Sequence, residues 1–210
     1  MQDGYKTLEK EASDSFIIKK SRFTGYGSPA RSEQEALDFL ARIKAETKDA
    51  NHHCYAYIIG RNAGVMRYSD DGEPGGTAGL PIIETMKARG VVDCAVVVTR
   101  WFGGVLLGAG GLTRAYVQGA KCALDAAHVV TMEDSVRFWA EVPYSLWDRL
   151  DYALNGMPVC REGAEFSAQV TATLVVRKRD RDDVFAKITA ATEGRAEMME
   201  LEELVKGWES

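Results

Sequence analysis

No two of the four cysteines stand near each other: Cys54, Cys94, Cys122 and Cys160 form no Cys-x-x-Cys pair. Neither a zinc knuckle nor a thiol-redox motif is signalled. Single thiols scattered on apolar segments predict reduced, buried cysteines in a cytoplasmic protein. Long apolar runs are missing too, and none approaches the roughly 20 residues of a membrane span. Met1-Gln2-Asp3-Gly4-Tyr5-Lys6 lacks the apolar core of a secretory signal. Positive charge is not in excess: 26 Lys and Arg face 31 Asp and Glu, for a formal net charge of −5. No global field draws such a chain to nucleic acid, so any polyanion binding needs a local patch. There is no Pro/Gly/Ser-rich linker, so any domains are expected to follow one another without a tether.

Glycine, by contrast, is concentrated. The stretch Asp70-Asp71-Gly72-Glu73-Pro74-Gly75-Gly76-Thr77-Ala78-Gly79-Leu80-Pro81 leads into one helix. Gly103-Gly104 and Gly108-Ala109-Gly110-Gly111 lead into another, with the apolar strand Cys94 to Thr99 between them. Glycine costs chain entropy, so such turns are expected where backbone must come close to a ligand or to another part of the fold.

Hydrophobic periodicity sets the remaining elements. Phe16 to Ser28 reads as one strand with a basic midpoint at Lys19-Lys20-Ser21-Arg22. Ser32 with Glu35 forms a capping box for a helix carrying Ala36, Leu37, Leu40 and Ile43. His53–59 and 65–69 read as a hairpin, and a helix runs from about Leu80 to Arg89. The helix 112–127 presents Ala115, Tyr116, Gly119, Ala120, Ala123, Leu124 and Ala127, a small-residue face suited to close approach to a sheet. From about Asp134 the order becomes strand–helix–strand–strand–helix–strand, the ferredoxin-like βαββαβ pattern. Ser145 and Asp148 are expected to cap its first helix. Phe166, Ala168, Val170, Ala172, Leu174 and Val176 are expected to alternate on one strand. The expected class is α+β, with an α/β two-layer domain over 1–133 and a ferredoxin-like domain over 134–210.

Two readings stand for the acidic turn. Asp70, Asp71 and Glu73 could ligate Mg²⁺ or Ca²⁺, or they could cap backbone amides and pair with an arginine. No calcium-loop spacing accompanies them. For the second turn, free amides at a helix start favour an anion. Arg100 and Arg114 could bind phosphate, and Trp101 and Phe102 could stack a base. The turn is not a Walker loop, since no Gly-Lys-Ser/Thr ends it. It is not a dinucleotide fingerprint either, since position 113 is Thr. Glycines serving only tight packing are the alternative. His52, His53 and Cys54 make a poor zinc site, because neighbours on a strand point to opposite faces. Arg177-Lys178-Arg179-Asp180-Arg181 reads as a solvated turn, with a nucleic-acid or protein contact as the other option. No catalytic triad or nucleophile elbow is present in the pattern.

These blocks resemble a known family. Asp70 to Pro81, Val96-Val97-Val98-Thr99-Arg100-Trp101-Phe102-Gly103-Gly104, and Leu107 to Leu112 with Ala115-Tyr116 are similar to the signature of the IMPACT family, bacterial YigZ/YvyE branch. Lys20-Ser21-Arg22-Phe23 and His52-His53-Cys54-Tyr55-Ala56-Tyr57 match its earlier blocks. Leu80 departs from the basic residue that many members are expected to carry. The resemblance implies an N-terminal domain like a ribosomal small-subunit protein and a domain of elongation factor G. It also implies a C-terminal ferredoxin-like domain like that factor's last domain. It further implies a non-enzymatic regulator of translation, binding RNA, the ribosome or a ribosome-associated protein, with no cofactor and no membrane. Lys20, Arg22, Arg67, Arg100, Trp101, Phe102, Gly103, Gly104, Gly108, Gly110, Gly111 and Arg114 are the candidate contacts. The rival is a small-molecule-kinase-like enzyme, holding a nucleotide phosphate on the second turn and Mg²⁺ on the first.

Overall fold

The computed structural model describes residues 4–209, so Met1, Gln2 and Asp3 of the N-terminal segment discussed above lie outside the described residues. The chain divides into two compact units, one built on Tyr5–Thr131 and the other on Met132–Gly207. Both are mixtures of helix and antiparallel sheet.

In the first unit the elements are β1 (Tyr5–Leu8), β2 (Ala12–Ile18), β3 (Ser21–Pro29), α1 (Glu33–Glu46), β4 (His52–Ile59), β5 (Val65–Ser69), α2 (Gly79–Arg89), β6 (Cys94–Trp101) and α3 (Ala109–Ala126). Five strands form a sheet in the order β2-β3-β6-β4-β5, antiparallel at every pairing. The expected single strand 16–28 is in fact a hairpin. Lys19 and Lys20 take φ of 44° and 69°, and Ile18 pairs Ser21. Positive φ at both central residues is the hairpin turn whose twist suits the strands. Lysine carries no signal for it, so the two strands looked like one. The fold-back lays the Phe16 ring on Phe23, centroids 5.4 Å apart.

The expected two layers are three. Every residue of β6 from Cys94 to Val98 is buried, and the residues alternate between two cores. Cys94, Val96 and Val98 join α2 and α3, while Ala95 and Val97 join Ala36, Phe39 and Ile43 of α1. A strand apolar at successive positions must be covered on both faces. At α1, Ser32 Oγ accepts from the Glu35 amide at 3.2 Å, and the Glu35 carboxylate accepts from the Arg31 amide. Helix α2 ends on Gly90, left-handed at φ 68°.

The small face of α3 lies against β3 and β6. A Cβ on Gly25 would stand 2.1 Å from the Gly119 carbonyl oxygen, and one on Gly119 would stand 2.6 Å from Val98. Backbone therefore meets backbone here, which fixes where the N-terminal end of α3 sits relative to the end of β6.

The second unit follows with β7 (Val129–Pro143), α4 (Tyr144–Ala153), β8 (Val159–Phe166), β9 (Gln169–Arg177), α5 (Arg181–Ala191) and β10 (Glu197–Glu209). β8, β9 and β7 pair antiparallel in that order, and β10 pairs β7. Its core joins Phe138, Leu150, Leu174, Val184 and Ile188. Two local expectations fail. Pro143, with no side-chain bond, precedes α4 in place of a Ser145–Asp148 cap. Phe166 ends β8 rather than starting the next strand, and its ring meets Trp147 edge-on at 5.6 Å. That aromatic contact satisfies Phe166 outside the sheet core, so alternation begins at Val170. The basic run 177–181 is paired with acids: Arg179 with Glu133, Lys178 with Glu203 and Arg181 with Glu200.

Candidate functional site

The acidic turn after β5 is built inward. One Asp70 carboxylate oxygen accepts from the Ala78 and Gly79 amides at 3.0 and 2.8 Å, and the other accepts from Gly76 at 2.8 Å. Ala78 has no side-chain donor or acceptor to cap α2, so Asp70 does this from eight residues upstream. Asp71, at φ 43°, accepts from the His53 amide at 2.6 Å and from Lys44 Nζ at 3.2 Å. Burial alone would raise the Asp71 carboxyl; the His53 amide and the Lys44 ammonium outweigh it, and the net shift is downward. A lowered folded-state value stabilises the fold above the unfolded pKa of about 4, and this is lost as pH falls through the folded value. Asp71→Asn is therefore expected to cost about 1 kcal/mol at pH 7. The gap from the unsubstituted protein closes in urea melts taken below about pH 4.

Glu73 is buried. One of its oxygens accepts from Arg100 Nη1 at 2.8 Å and from the Tyr116 hydroxyl at 2.7 Å. Arg100 is only 5% exposed, with its guanidinium carbon 5.6 Å from the Phe23 ring centroid and 5.3 Å from that of Phe102. Among the described residues its buried Nε has no hydrogen-bond partner. Burial pushes the Tyr116 hydroxyl and the Cys54 thiol well up, keeping both protonated. His52 stands opposite Arg100 in the β4–β6 register. Its Nδ1 is 2.9 Å from the Asp71 carbonyl, an acceptor only, so Nδ1 carries the proton and a neutral ring leaves Nε2 as an acceptor. Asp70, Asp71 and Glu73 thus each face different partners. Among the described residues no three His, Cys, Asp or Glu side chains converge as metal ligands.

The second turn lies beside this pair. Gly108, at φ 71°, precedes α3 with no side-chain cap, and the first helical bond runs from the Leu112 amide to the Gly108 carbonyl. The amides of Ala109, Gly110 and Gly111 precede that bond at the open end of an 18-residue helix. Arg114 folds back over them: a Cβ on Gly110 would lie 3.6 Å from its Nη1. A groove of about 410 Å³ opens here, lined by His52, Glu73, Arg100, Phe102, Leu106 and Ala109 among others. Leu106 at its rim is 81% exposed.

The predicted contacts are not all in one place. Phe102, Gly108, Gly110, Gly111 and Arg114 share the α3 start. Arg100 reaches the groove wall, but its charge is spent on Glu73. Arg22 lies over the Trp101 indole at 3.8 Å, on the α1 face of the sheet end. Gly103 lies against the backbone of Lys20, 2.1 Å from where its Cβ would be, so this glycine serves packing. Gly104 is open, at φ 80°. Arg67 sits on the far edge strand β5 and donates to the Met66 carbonyl, apart from the others. His52, bonded to the Asp71 carbonyl, lines the groove, as do Asn51, Pro74, Leu106, Leu107 and Leu112, none of which is among the candidate contacts. All four cysteines are free; Cys54 and Cys94 are buried as expected, whereas Cys122 and Cys160 are partly exposed.

Residues 19–124 match the family model described as Impact N-terminal domain. The chain is 33% identical over 200 residues to IMPACT family member YvyE of Bacillus subtilis, covering 95% of this chain and 92% of that one. It is 42% identical over 109 residues to IMPACT family member YigZ of Escherichia coli, covering 51% and 53%. A crystal structure titled as that of a hypothetical protein superposes with a TM-score of 0.60 at 26% identity, over 96% of this chain and 99% of that one. No described helix is long and apolar enough to cross a membrane. On these matches the chain belongs to the IMPACT family, in the bacterial YigZ/YvyE branch.

Proposed function

We propose that the protein is a non-enzymatic, translation-associated regulator of the cytoplasm that binds RNA, free or within the ribosome, through the start of α3. The likeness of residues 1–133 to ribosomal and elongation-factor domains, and the ferredoxin-like reading of 134–210, belong to the same proposal. One observation carries it: α3 opens with three glycine-flanked amides under the exposed guanidinium of Arg114, which has no ion-pair partner among the described residues, beside exposed Phe102. Helix-start amides and a guanidinium suit phosphate, and an exposed ring suits a base. Lys20 and Arg22 lie near the same end of the sheet, with Arg22 on its other, α1 face, so a bound RNA would have to pass around the sheet end to reach it.

Binding to RNA or ribosomal particles should weaken steeply with salt. Each of Arg22→Ala and Arg114→Ala is expected to lower the slope of log K against log salt by about 1 where it touches a phosphate. Fluorescence anisotropy over a salt series reads this directly. Arg67→Ala, at the far edge strand, is expected to leave the slope unchanged. Salt-independent binding in every variant, or association only with a ribosome-associated protein, would replace RNA with a protein partner. The kinase-like alternative asks Asp70, Asp71 or Glu73 to hold Mg²⁺. Each carboxylate would first have to leave the amides or cations it now accepts from, which weighs against it.

A further inference from the structure

Asparagine is scarce in this chain: Asn51, Asn62 and Asn155 are all of it, and only Asn155 is followed by glycine. That pair lies in the exposed turn joining α4 to β8. We infer that Asn155 is a self-modification site, where Arg161 activates the side-chain amide toward the Gly156 nitrogen. Asn155 then loses ammonia and becomes aspartate or isoaspartate. The inference is independent of the RNA-binding reading.

Three features meet at this turn. The first is the electrophile. Arg161, on β8, places Nη2 3.0 Å from Asn155 Oδ1. A guanidinium only donates, so the amide oxygen is the atom that faces it. Arg161 is held at two further points: Nη2 donates to the Asp151 carbonyl at 2.8 Å, and Nε lies 3.1 Å from Asp151 Oδ1. The donor is therefore in place before negative charge develops on the oxygen, the condition for stabilising it in the transition state. The second is the nucleophile. The Asn155 amide donates to the Tyr152 carbonyl and the Met157 amide to the Leu154 carbonyl, both at 3.2 Å. Between them, the Gly156 amide has no acceptor among the described residues, which leaves its proton open to water. The third is access. Both residues are exposed, and nothing lies within 4 Å of where a Gly156 Cβ would stand. No side chain at position 156 shields the nitrogen from the Asn155 amide carbon.

Water is the only co-reactant. Hydroxide takes the Gly156 amide proton, and the nitrogen forms a bond to Asn155 Cγ while Arg161 holds the resulting oxyanion. The Cγ–Nδ2 bond breaks, and Nδ2 leaves as ammonia with a proton drawn from solvent. The product is a cyclic imide. Water opens it in either of two ways. Addition at Cγ breaks the new bond and gives aspartate in the original main chain. Addition at the Asn155 main-chain carbonyl carbon breaks the peptide bond to Gly156 and gives isoaspartate, with the chain routed through Cγ. The aspartate product stands beside Arg161, so the group that promoted the step becomes its ion-pair partner. A carboxylate just past the end of α4 opposes the helix macrodipole, and Arg161 offsets that cost.

The test incubates the full chain in mildly alkaline buffer. Peptide mass mapping follows each asparagine, and enzymatic methylation counts isoaspartate. Asn155 is expected to convert, while Asn51 and Asn62, followed by His52 and Ala63, stay intact. Arg161→Gln is expected to slow the conversion about tenfold, the scale of one charge-assisted bond made in the transition state. Arg161→Lys is expected to recover part of the rate. The same three proteins are incubated in urea, where no fold positions residue 161, and there their rates are expected to coincide. Asn155 that stays intact as long as Asn51 and Asn62 overturns the inference. So does Arg161→Gln converting as fast as the unsubstituted chain or faster. A difference between the variants that persists unchanged in urea also overturns it, because the effect would then belong to the local sequence and not to the placement of Arg161.

Discussion

Glu73→Ala is expected to destabilise the first unit by about 3–5 kcal/mol, the scale on which breaking one side of a buried ion pair falls. The substitution removes the acceptor of both Arg100 Nη1 and the Tyr116 hydroxyl. Arg100 is held between the Phe23 and Phe102 rings with little water to replace the lost carboxylate. Its charge would be left uncompensated in an apolar setting, and this, more than the loss of the bond itself, sets the cost. Glu73→Gln keeps an oxygen for either donor and is expected to lose roughly half as much. The double variant Glu73→Leu with Arg100→Met removes both charges together and is expected to recover most of the loss, since paired removal of a buried ion pair is often near neutral. Urea unfolding ranks the three variants against the unsubstituted protein. A double variant no more stable than Glu73→Ala would mean that the pair is not the source of the loss.

The second large effect lies in the contact between α3 and the sheet. Gly25→Ala places a methyl group 2.1 Å from the Gly119 carbonyl oxygen, a backbone atom that no rotamer change can move. Helix α3 must then lift from β3. The loss is expected at or above the upper end of the usual range for overpacking, about 3 kcal/mol. Gly119→Ala should cost less. Its nearest contact is the Val98 side chain at 2.6 Å, and alanine returns about 1 kcal/mol of helix propensity. Gly75→Ala is the control, since nothing lies within 4 Å of its Cβ position. It is expected to change stability by less than about 0.5 kcal/mol. Thermal melts rank the three. Because α3 carries the amides of the groove, Gly25→Ala should also weaken any ligand held there, even where the variant stays folded.

This contact was legible in the sequence. Gly119, Ala120 and Ala123 at helical spacing announce a helix that seats closely, and it does. The role of Arg100 was hidden by treating it as the first residue of a turn. The strand runs on to Trp101, so Arg100 continues the series Cys94, Val96, Val98 toward the α3 core. Its partner Glu73 lies 27 residues away in a turn whose acids have three different tasks. Local pattern does not sort those tasks, because each is set by which backbone or cation the fold brings alongside. The groove was legible in part. Glycines before α3 marked the amides, and strand parity placed His52 and Cys54 on one face, but only the register of β4 on β6 brings His52 opposite Arg100. The two-lysine turn and the end of β8 at Phe166 escaped because neither carries glycine, proline or asparagine at the bend.

The central claim is that the start of α3 is where this protein meets its ligand. The most direct measurement is a ¹H–¹⁵N correlation spectrum of the labelled chain titrated with 5′-phosphorylated decauridylate at low salt. The account predicts that the Ala109, Gly110 and Gly111 amides and the Arg114 side chain shift first and most, with Phe102 following. Saturable binding that leaves those signals in place and moves others would contradict it.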